Sequence, residues 1–155
     1  MKNTIQVCVY PSYWKNPPSL KVLLNGHILL ESVIEQNSTL TVSYDKSILK
    51  EKNILELERY GKTIEDTVLD AENNVVQDQY LSISDLIINQ IELGNIIYRG
   101  RFFPEYPEPW ATQQKENDVT LPEYFSPSTD FNHNGVWKLE WEEPFHIWYL
   151  ENLWD

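Results

Sequence analysis

The stretch from Gly135 to Glu142 constrains the fold most strongly, because it carries the cleanest strand pattern in the chain. Trp137, Leu139 and Trp141 alternate there with charged residues. A period of two is typical of a strand with one face buried and the other in water. A buried aromatic side chain removes roughly 150–250 Å² from water. We therefore expect this strand to supply a large part of one hydrophobic core.

The segment that follows this strand begins with a proline, which stops regular strand pairing because it has no N–H to donate. Phe145, Trp148 and Tyr149 would share one face of a helix, whereas Phe145, Ile147 and Tyr149 would share one face of a strand. The sequence leaves both alternatives open. The aromatic residues of this segment, which extends to Trp154, are expected either to pack inside the core or to dock on a partner.

Other short alternating segments recur roughly every ten to fifteen residues. An Asn-Gly pair between two apolar runs is the strongest short signal for a hairpin. The segment 80–93 predicts either two strands joined near Asn89 and Gln90 or one long strand with a bend. These predicted strands are Thr4–Tyr10, two strands around Asn25–Gly26 within Leu20–Leu30, Thr39–Tyr44, Asn53–Tyr60 and those within Tyr80–Leu93.

Helix signals are few: only Ala111–Asp118 has a helical pattern, and three prolines within Ile96–Trp110 favour an extended path there. Short strands with no βαβ rhythm predict an all-β fold, an antiparallel β-sandwich, with a closed barrel as the main rival. The length of 155 residues fits a single domain spanning residues 1–155. The long segments Gly61–Gln79 and Phe102–Asn134 are predicted to be surface loops, where binding sites usually lie.

The charge of the chain bears on its partners. It carries 24 acidic and 12 basic residues, a formal net charge of −12, which repels nucleic acids and anionic membranes. Lysine and arginine are scattered, and the closest groups, Lys46/Lys50/Lys52 and Arg99/Arg101, lie among acids or aromatics. The sequence therefore predicts no nucleic-acid partner and no membrane partner.

The N-terminus lacks the apolar run of a secretory signal, and no stretch approaches the roughly 18 apolar residues of a membrane span. Location in a virion or in host cytoplasm is expected. The single cysteine, Cys8, cannot form an intramolecular disulfide, and its place in a strand pattern predicts a buried, inert thiol.

The loop Gly61–Gln79 is a candidate metal site. A hard cation such as Ca²⁺ takes six to eight oxygen ligands, and carboxylates cluster in this loop. The spacing does not match an EF-hand, because a valine stands at the glycine position and a leucine at the final glutamate position. The alternatives are a solvated acidic loop or a calcium site formed by Glu65, Asp66, Asp70, Glu72 and Asp78.

The aromatic and proline-rich run that contains Phe103, Tyr106 and Trp110 is a candidate ligand- or partner-binding site. Exposed rigid aromatic rings stack on sugar rings or anchor protein partners, whose binding hot spots are rich in Tyr, Trp and Arg. The alternative is that these rings cover an open end of the sandwich as part of its core.

Catalysis has little support in the sequence: an enzyme is the third hypothesis, and no catalytic residue is predicted. The three histidines, His27, His133 and His146, have no metal-binding spacing. The chain contains no nucleophile elbow, no glycine-rich phosphate loop and no C-x-x-C pair. A pair of carboxylates for glycoside hydrolysis depends on folded geometry, and nothing selects such a pair here.

Two pairs of motifs resemble known proteins. N-I-L-E-L-E-R-Y-G-K-T with Y-L-S-I-S-D-L-I-I-N-Q-I-E-L resembles the closing strands of small β-sandwiches of the carbohydrate-binding-module type. F-F-P-E-Y-P-E-P-W with W-K-L-E-W-E-E-P-F-H-I-W-Y-L-E-N-L is similar to small proteins of tailed bacteriophages. Together the motifs span about residues 20–154. The resemblance implies a jelly-roll or carbohydrate-binding-module-like sandwich, and in calcium-dependent members loop acids hold an ion that bridges to sugar hydroxyls. Only the cluster from Glu65 to Asp78 corresponds to such acids.

These observations together predict a non-enzymatic interaction module. The first hypothesis is a phage virion structural or accessory protein that assembles through surface loops with copies of itself or with another protein. The alternative is a calcium-assisted carbohydrate-binding module that recognises host or environmental polysaccharide. The expected cofactor is accordingly either none or Ca²⁺.

Overall fold

A computed structural model describes residues 3–153 of the chain. Its strands are β1 (Thr4–Ser12), β2 (Ser19–Leu24), β3 (His27–Val33), β4 (Ser38–Ser43), β5 (Lys52–Tyr60), β6 (Val68–Leu69), β7 (Val75–Gln77), β8 (Tyr80–Ile88), β9 (Ile91–Glu92), β10 (Arg101–Pro104), β11 (Asp130–Phe131) and β12 (Gly135–Glu142). The helices are α1 (Trp110–Glu116) and α2 (Phe145–Asn152), and 3-10 turns occupy Lys46–Ile48, Ile64–Asp66 and Gly94–Arg99. Neither α-helix in this part of the chain is long and apolar enough to cross a membrane.

The strands form two facing antiparallel sheets and one small hairpin. The first sheet has the order β11-β8-β1-β4, with β9 paired to β8, and the second has the order β10-β12-β5-β2-β3. Strands β6 and β7 pair only with each other in the segment 61–79. The predicted all-β antiparallel sandwich is confirmed.

Alternation along the strands places the core between the two sheets. Trp137 lies opposite Leu57 and Leu139 opposite Leu55 in the β12–β5 register, and all four side chains are buried. The intervening charged residues point to the outer face, because successive side chains of a strand lie on opposite faces. The inner face of β1, with Ile5, Val7 and Val9, is buried as well.

Strand β8 changes its inward face midway. Leu81 and Ile83 are buried before Asp85, and Leu86 and Ile88 are buried after it. Asp85 has a φ of 53°, and the pairing of β8 with β1 shifts register there. An extra residue in one strand of a pair is a β-bulge, and it keeps apolar residues inward on both sides of the shift.

The turns follow the sequence predictions. Asn25 and Gly26 connect β2 to β3 with positive φ values of 50° and 83°, as a two-residue type I′ hairpin requires. Asn89 and Gln90, with φ values of 52° and 69°, connect β8 to β9, so the two-strand alternative is confirmed. The segment 61–79 contains the loose β6–β7 hairpin.

Three expectations are decided or corrected by the structure. The segment after β12 is helical, in α2, with Phe145 buried against Trp141; Trp154 lies outside the described residues. The segment 96–110 is not extended throughout, because a 3-10 turn precedes β10 and packs Ile96 and Ile97 into the core.

The third expectation, that Cys8 is buried, is wrong: Cys8 is half-buried. The inward positions of β1 are the odd-numbered ones, so Cys8 faces away from the core, and its Sγ lies 3.5 Å from Thr39 Oγ1.

The sandwich has two distinct ends. At one end, strands β1, β5 and β10 finish and strands β2, β8 and β12 begin. We call this end the loop end. The segments 13–18, 61–79, 105–109 and 132–134 lie there, together with α1. We call the segment 61–79 the acidic segment. Its candidate residues and those in α1 therefore lie at the same end of the fold.

Candidate functional site

Three aromatic rings meet at the loop end. The ring centroid of Tyr106 is 6.0 Å from that of Trp110 and 5.3 Å from that of His133, and the Trp110 and His133 rings stack at 6.3 Å with an interplanar angle of 29°. Trp110 remains 39% exposed in this arrangement. We call these three residues the aromatic cluster. The exposed part of Trp110 adds apolar surface to the loop end.

Local hydrogen bonds hold the aromatic cluster in place. The Tyr106 hydroxyl donates to the carbonyl oxygen of Pro122 at 2.6 Å, and burial raises the pKa of this phenol. The backbone N–H of Glu105 donates to the carbonyl oxygen of Asn134 at 2.6 Å. Trp110 begins α1 directly after a proline. Because proline has no N–H, the start of the helix has one fewer unpaired N–H group.

A buried arginine supports the loop that carries His133. Arg59 is fully buried, and it donates from Nη1 to Asn134 Oδ1 at 3.1 Å and from Nη2 to the Gln79 carbonyl oxygen at 2.6 Å. Burial lowers the pKa of Arg59 to about 10, while Asp78 and then Asp66 oppose that change. A buried charge is tolerated only where polar groups compensate it, and this guanidinium ties the 132–134 loop to the end of the segment 61–79.

Lys62 and Asp78 form a largely buried ion pair beside the arginine. Lys62 Nζ lies 2.7 Å from Asp78 Oδ1, with side-chain exposures of 14% and 13%, and it also donates to the carbonyl oxygen of Asn132 at 2.7 Å. Burial raises the pKa of Asp78, but hydrogen bonds from Lys62, Thr67 and a backbone N–H outweigh it and leave the pKa lowered. The pair fixes the 132–134 loop against the acidic segment.

The surroundings of His133 favour the neutral form of its ring. Burial lowers its pKa first, and the nearby cations Lys62 and Arg59 lower it further, with only Asp78 opposing them. A neutral imidazole stacks on an indole without carrying an unpaired charge into the cluster. His133 therefore acts as a platform for Trp110.

A further aromatic residue, Trp14, is held at the loop end by the segment 61–79. Trp14, 46% exposed, donates from its indole nitrogen to the Asp66 carbonyl oxygen at 3.1 Å. The neighbouring Tyr13 hydroxyl donates to the carbonyl oxygen of Glu35 at 2.9 Å. The sequence interpretation missed Trp14 and His133. A tyrosine–tryptophan pair in a loop bounded by prolines was the available signal for Trp14.

The structure separates the three predicted aromatic residues. Tyr106 and Trp110 lie together in the aromatic cluster, whereas Phe103 lies on the outer face of the second sheet. Its ring is 5.0 Å from Lys138 Nζ and 5.4 Å from the ring of Tyr124. Phe103 therefore belongs to a different surface from the other two.

The five predicted metal-ligating acids have separate surroundings. Asp66 is buried and accepts hydrogen bonds at Oδ2 from the Thr63 backbone N–H at 2.8 Å and at Oδ1 from Asn16 at 3.3 Å. Asp78 pairs with Lys62, as described above. Glu65 is exposed and pairs with Lys15 at 3.0 Å.

The remaining two acids lie at the tip of the β6–β7 hairpin. Asp70 Oδ1 accepts the backbone N–H groups of Glu72 and Asn74, each at 2.9 Å, and these bonds, that from Asn74 first, lower the pKa of Asp70. Glu72 is exposed. Asp70 thus acts as a turn residue.

The five acids are not gathered into one group in the structure. Within residues 3–153, no three side chains of His, Cys, Asp or Glu come together as a metal-binding group, and four of the five acids are engaged by separate protein donors. The prediction that these acids bind calcium stays a prediction.

Two solved structures share this fold. Neither a protein-family model nor a curated protein sequence matches this chain. A structure described as vCBM60 in complex with galactobiose is similar over 88% of this chain and 96% of its own, with a TM-score of 0.55 and 9% identity. A selenomethionine form of vCBM60 gives the same TM-score and identity over 88% of each chain, and its description concerns two families of calcium-dependent carbohydrate binding modules linked by circular permutation. At this identity the likeness supports the fold, which is of the carbohydrate-binding-module type.

Proposed function

We propose that this chain is a non-catalytic carbohydrate-binding module that takes sugar rings at its loop end. The observation that carries the proposal is the stack of Trp110 on His133, with Trp110 39% exposed. A pyranose ring presents an apolar C–H face and a rim of hydroxyls. A held, open aromatic ring with polar groups at its border is the arrangement that binds such an amphipathic ligand.

The ion pair beside the aromatic cluster holds the site in shape. Lys62 and Asp78 are largely buried, and Lys62 also donates to the carbonyl oxygen of Asn132, so the loop that carries His133 is held in position before a ligand arrives. Preorganised groups reduce the entropy lost on binding. The fold shared with a module solved in complex with galactobiose supports the same ligand class.

The proposal includes no calcium ion, because four of the five predicted acids already accept protein hydrogen bonds or ion pairs. Virion assembly, the first hypothesis from the sequence, stays a prediction, since no contact or comparison favours it over sugar binding. The aromatic cluster could instead bind a protein partner, and the experiment below distinguishes that alternative from sugar binding.

The test is binding of soluble neutral oligosaccharides, galactobiose first and then a glycan array, measured calorimetrically with and without EDTA. Trp110→Ala and Tyr106→Ala are expected to lose about tenfold or more in affinity, since a stacking ring is worth more than 1 kcal/mol. Tyr98→Ala is the matched control: Tyr98 is 52% exposed and lies in the 3-10 turn at the opposite end. It should bind as the unaltered chain does.

The stability of each variant separates binding from folding. Trp110→Ala should lower the free energy of unfolding by about 1 kcal/mol, because much of the ring is exposed, whereas Trp141→Ala should lower it by about 3–5 kcal/mol. Equal affinity of Trp110→Ala and the unaltered chain would contradict the proposal. So would absence of binding across the array together with concentration-dependent self-association.

A further inference from the structure

A cationic groove crosses the outer face of the second sheet, at the edge formed by β10 and β12. It has a volume of about 470 Å³ and is lined by Lys52, Arg99, Arg101 and Lys138, with the rings of Phe103 and Trp148. The volume lies within the range of small-ligand sites. Four of the chain's 12 basic residues line this one groove of a protein whose net charge is −12.

Like charges face each other across the two strands that form the groove. Arg101 lies directly opposite Lys138 in the β10–β12 register. Like charges at directly opposed positions of an antiparallel pair destabilise the sheet. The register therefore places two cations side by side on this face, and Glu56 lies opposite Lys138 on its other side.

Neighbouring aromatic rings hold the two cations in place. The guanidinium carbon of Arg101 lies 5.0 Å from the ring centroid of Tyr124, and Lys138 Nζ lies 5.0 Å from that of Phe103. Glu56 Oε2 is 3.9 Å from Lys138 Nζ, which is too long for a hydrogen bond. Lys138 is therefore ion-paired with Glu56 at this distance, and its N–H donors can still bind a ligand.

The groove also contains acceptors. Glu140 and Glu142 line it, so its formal charge is two positive units from four cations and two carboxylates. A polyanion as dense as DNA, with one charge per about 1.7 Å, would meet these carboxylates and the acidic remainder of the surface. A polymer with about one carboxylate per sugar ring instead offers its acids to the cations and its hydroxyls to the glutamates.

We propose that this groove is a second binding site, for a carboxylated polysaccharide such as a polyuronate. The Arg101 and Lys138 cations bind the carboxylates, and the Phe103 ring contacts the sugar face. The site is separate from the aromatic cluster and does not rest on the function proposed for it. In this second site Phe103 has a binding role on the outer face of the second sheet, where its side chain lies.

The experiment measures binding of the full chain to polygalacturonate and to its methyl ester, in which the same polymer has lost its charges. We expect affinity for polygalacturonate to fall with added salt and the ester to bind about tenfold or more weakly. Arg101→Gln/Lys138→Gln should lose about tenfold or more in affinity. Its unfolding temperature should be unchanged or higher, since the opposed cations are gone.

Lys21→Gln/Lys50→Gln is the matched control. It removes the same charge, and Lys21 is on the outer face of the same sheet, paired with Glu31 at 3.9 Å and outside the groove. It should bind polygalacturonate as the unaltered chain does, and so should Trp110→Ala. Full binding by the groove variant, or no binding of polygalacturonate by the unaltered chain, would overturn the proposal. Equal affinity for polyglutamate or duplex DNA would overturn the assignment to polysaccharide.

Discussion

Gly100 lies flat against the indole of Trp137, and a Cβ at position 100 would overlap that ring. The indole is fully buried and donates from Nε1 to the Ser128 carbonyl oxygen at 3.1 Å. It therefore cannot move aside without losing a hydrogen bond. The strand pattern predicts a buried Trp137, and that burial depends on a glycine 37 positions earlier.

Gly100→Ala should lower the free energy of unfolding by about 3 kcal/mol, because overpacking forces a buried ring or the backbone to shift. Chemical denaturation followed by fluorescence measures this. Gly94→Ala is the control: nothing lies near its Cβ position, and its φ of 56° alone should cost about 1 kcal/mol. A smaller loss for Gly100→Ala than for Gly94→Ala would contradict the packing described.

Asp66→Ala should lower the free energy of unfolding by about 3 kcal/mol. The substitution removes a buried carboxylate and leaves the Thr63 N–H and the Asn16 amide without their acceptor, and hydrogen bonds to a charged group are among the stronger ones. Glu72→Ala, at an exposed position of the same segment, should change it by about 0.5 kcal/mol or less. Equal effects of the two substitutions would show that Asp66 has no structural role.

Chelation should leave the unfolding temperature unchanged. A ligand that binds only the folded state stabilises it, so a bound calcium ion would make the unfolding temperature fall when EDTA is added. Because the acids of the segment 61–79 are engaged separately, we expect the same temperature in EDTA and in millimolar calcium by scanning calorimetry. A clear fall in EDTA would support the calcium site predicted from the sequence.

The pH dependence of stability should report on His133. Its pKa is lowered in the folded state, while an unfolded histidine titrates near a pKa of about 6.5. The folded state therefore binds the proton less readily, so stability is full above about pH 6.5 and declines as the pH falls through the lowered pKa. His133→Gln should flatten this decline between about pH 7.5 and 5.5.

His27→Gln, which removes an exposed histidine of β3, is the control and should keep the decline. The lowered pKa values of Asp78 and Asp70 affect stability only at more acid pH, because unfolded aspartates titrate near a pKa of about 3.9. A decline that persists unchanged in His133→Gln would assign it to other groups.

The strands, hairpins and fold class could be predicted because their signals are local. Alternation in β12 and the Asn25–Gly26 pair depend only on neighbouring residues. The segment after β12 could not be decided, since Phe145 fits one face of either a helix or a strand. Burial of Phe145 against Trp141 accompanies the helical form.

The candidate sites were predicted in part. Tyr106 and Trp110 are close in sequence and close in space, so a local pattern found them together. His133, which completes the aromatic cluster, is 23 positions beyond Trp110 and gave no local signal. Phe103 is close in sequence to both, yet the pleat of β10 directs it to another face.

The sequence by itself determined the alternating strands, the turns and the all-β class, because these follow from the period of the chain and the chemistry of a few adjacent residues. Only the tertiary structure decided which charges meet. Register brings Arg101 opposite Lys138 and gathers scattered cations into one groove, while loop packing engages the acids of the segment 61–79 in separate contacts. Such pairings depend on which strands are neighbours and in what register, a property of the whole fold that no short stretch of sequence contains.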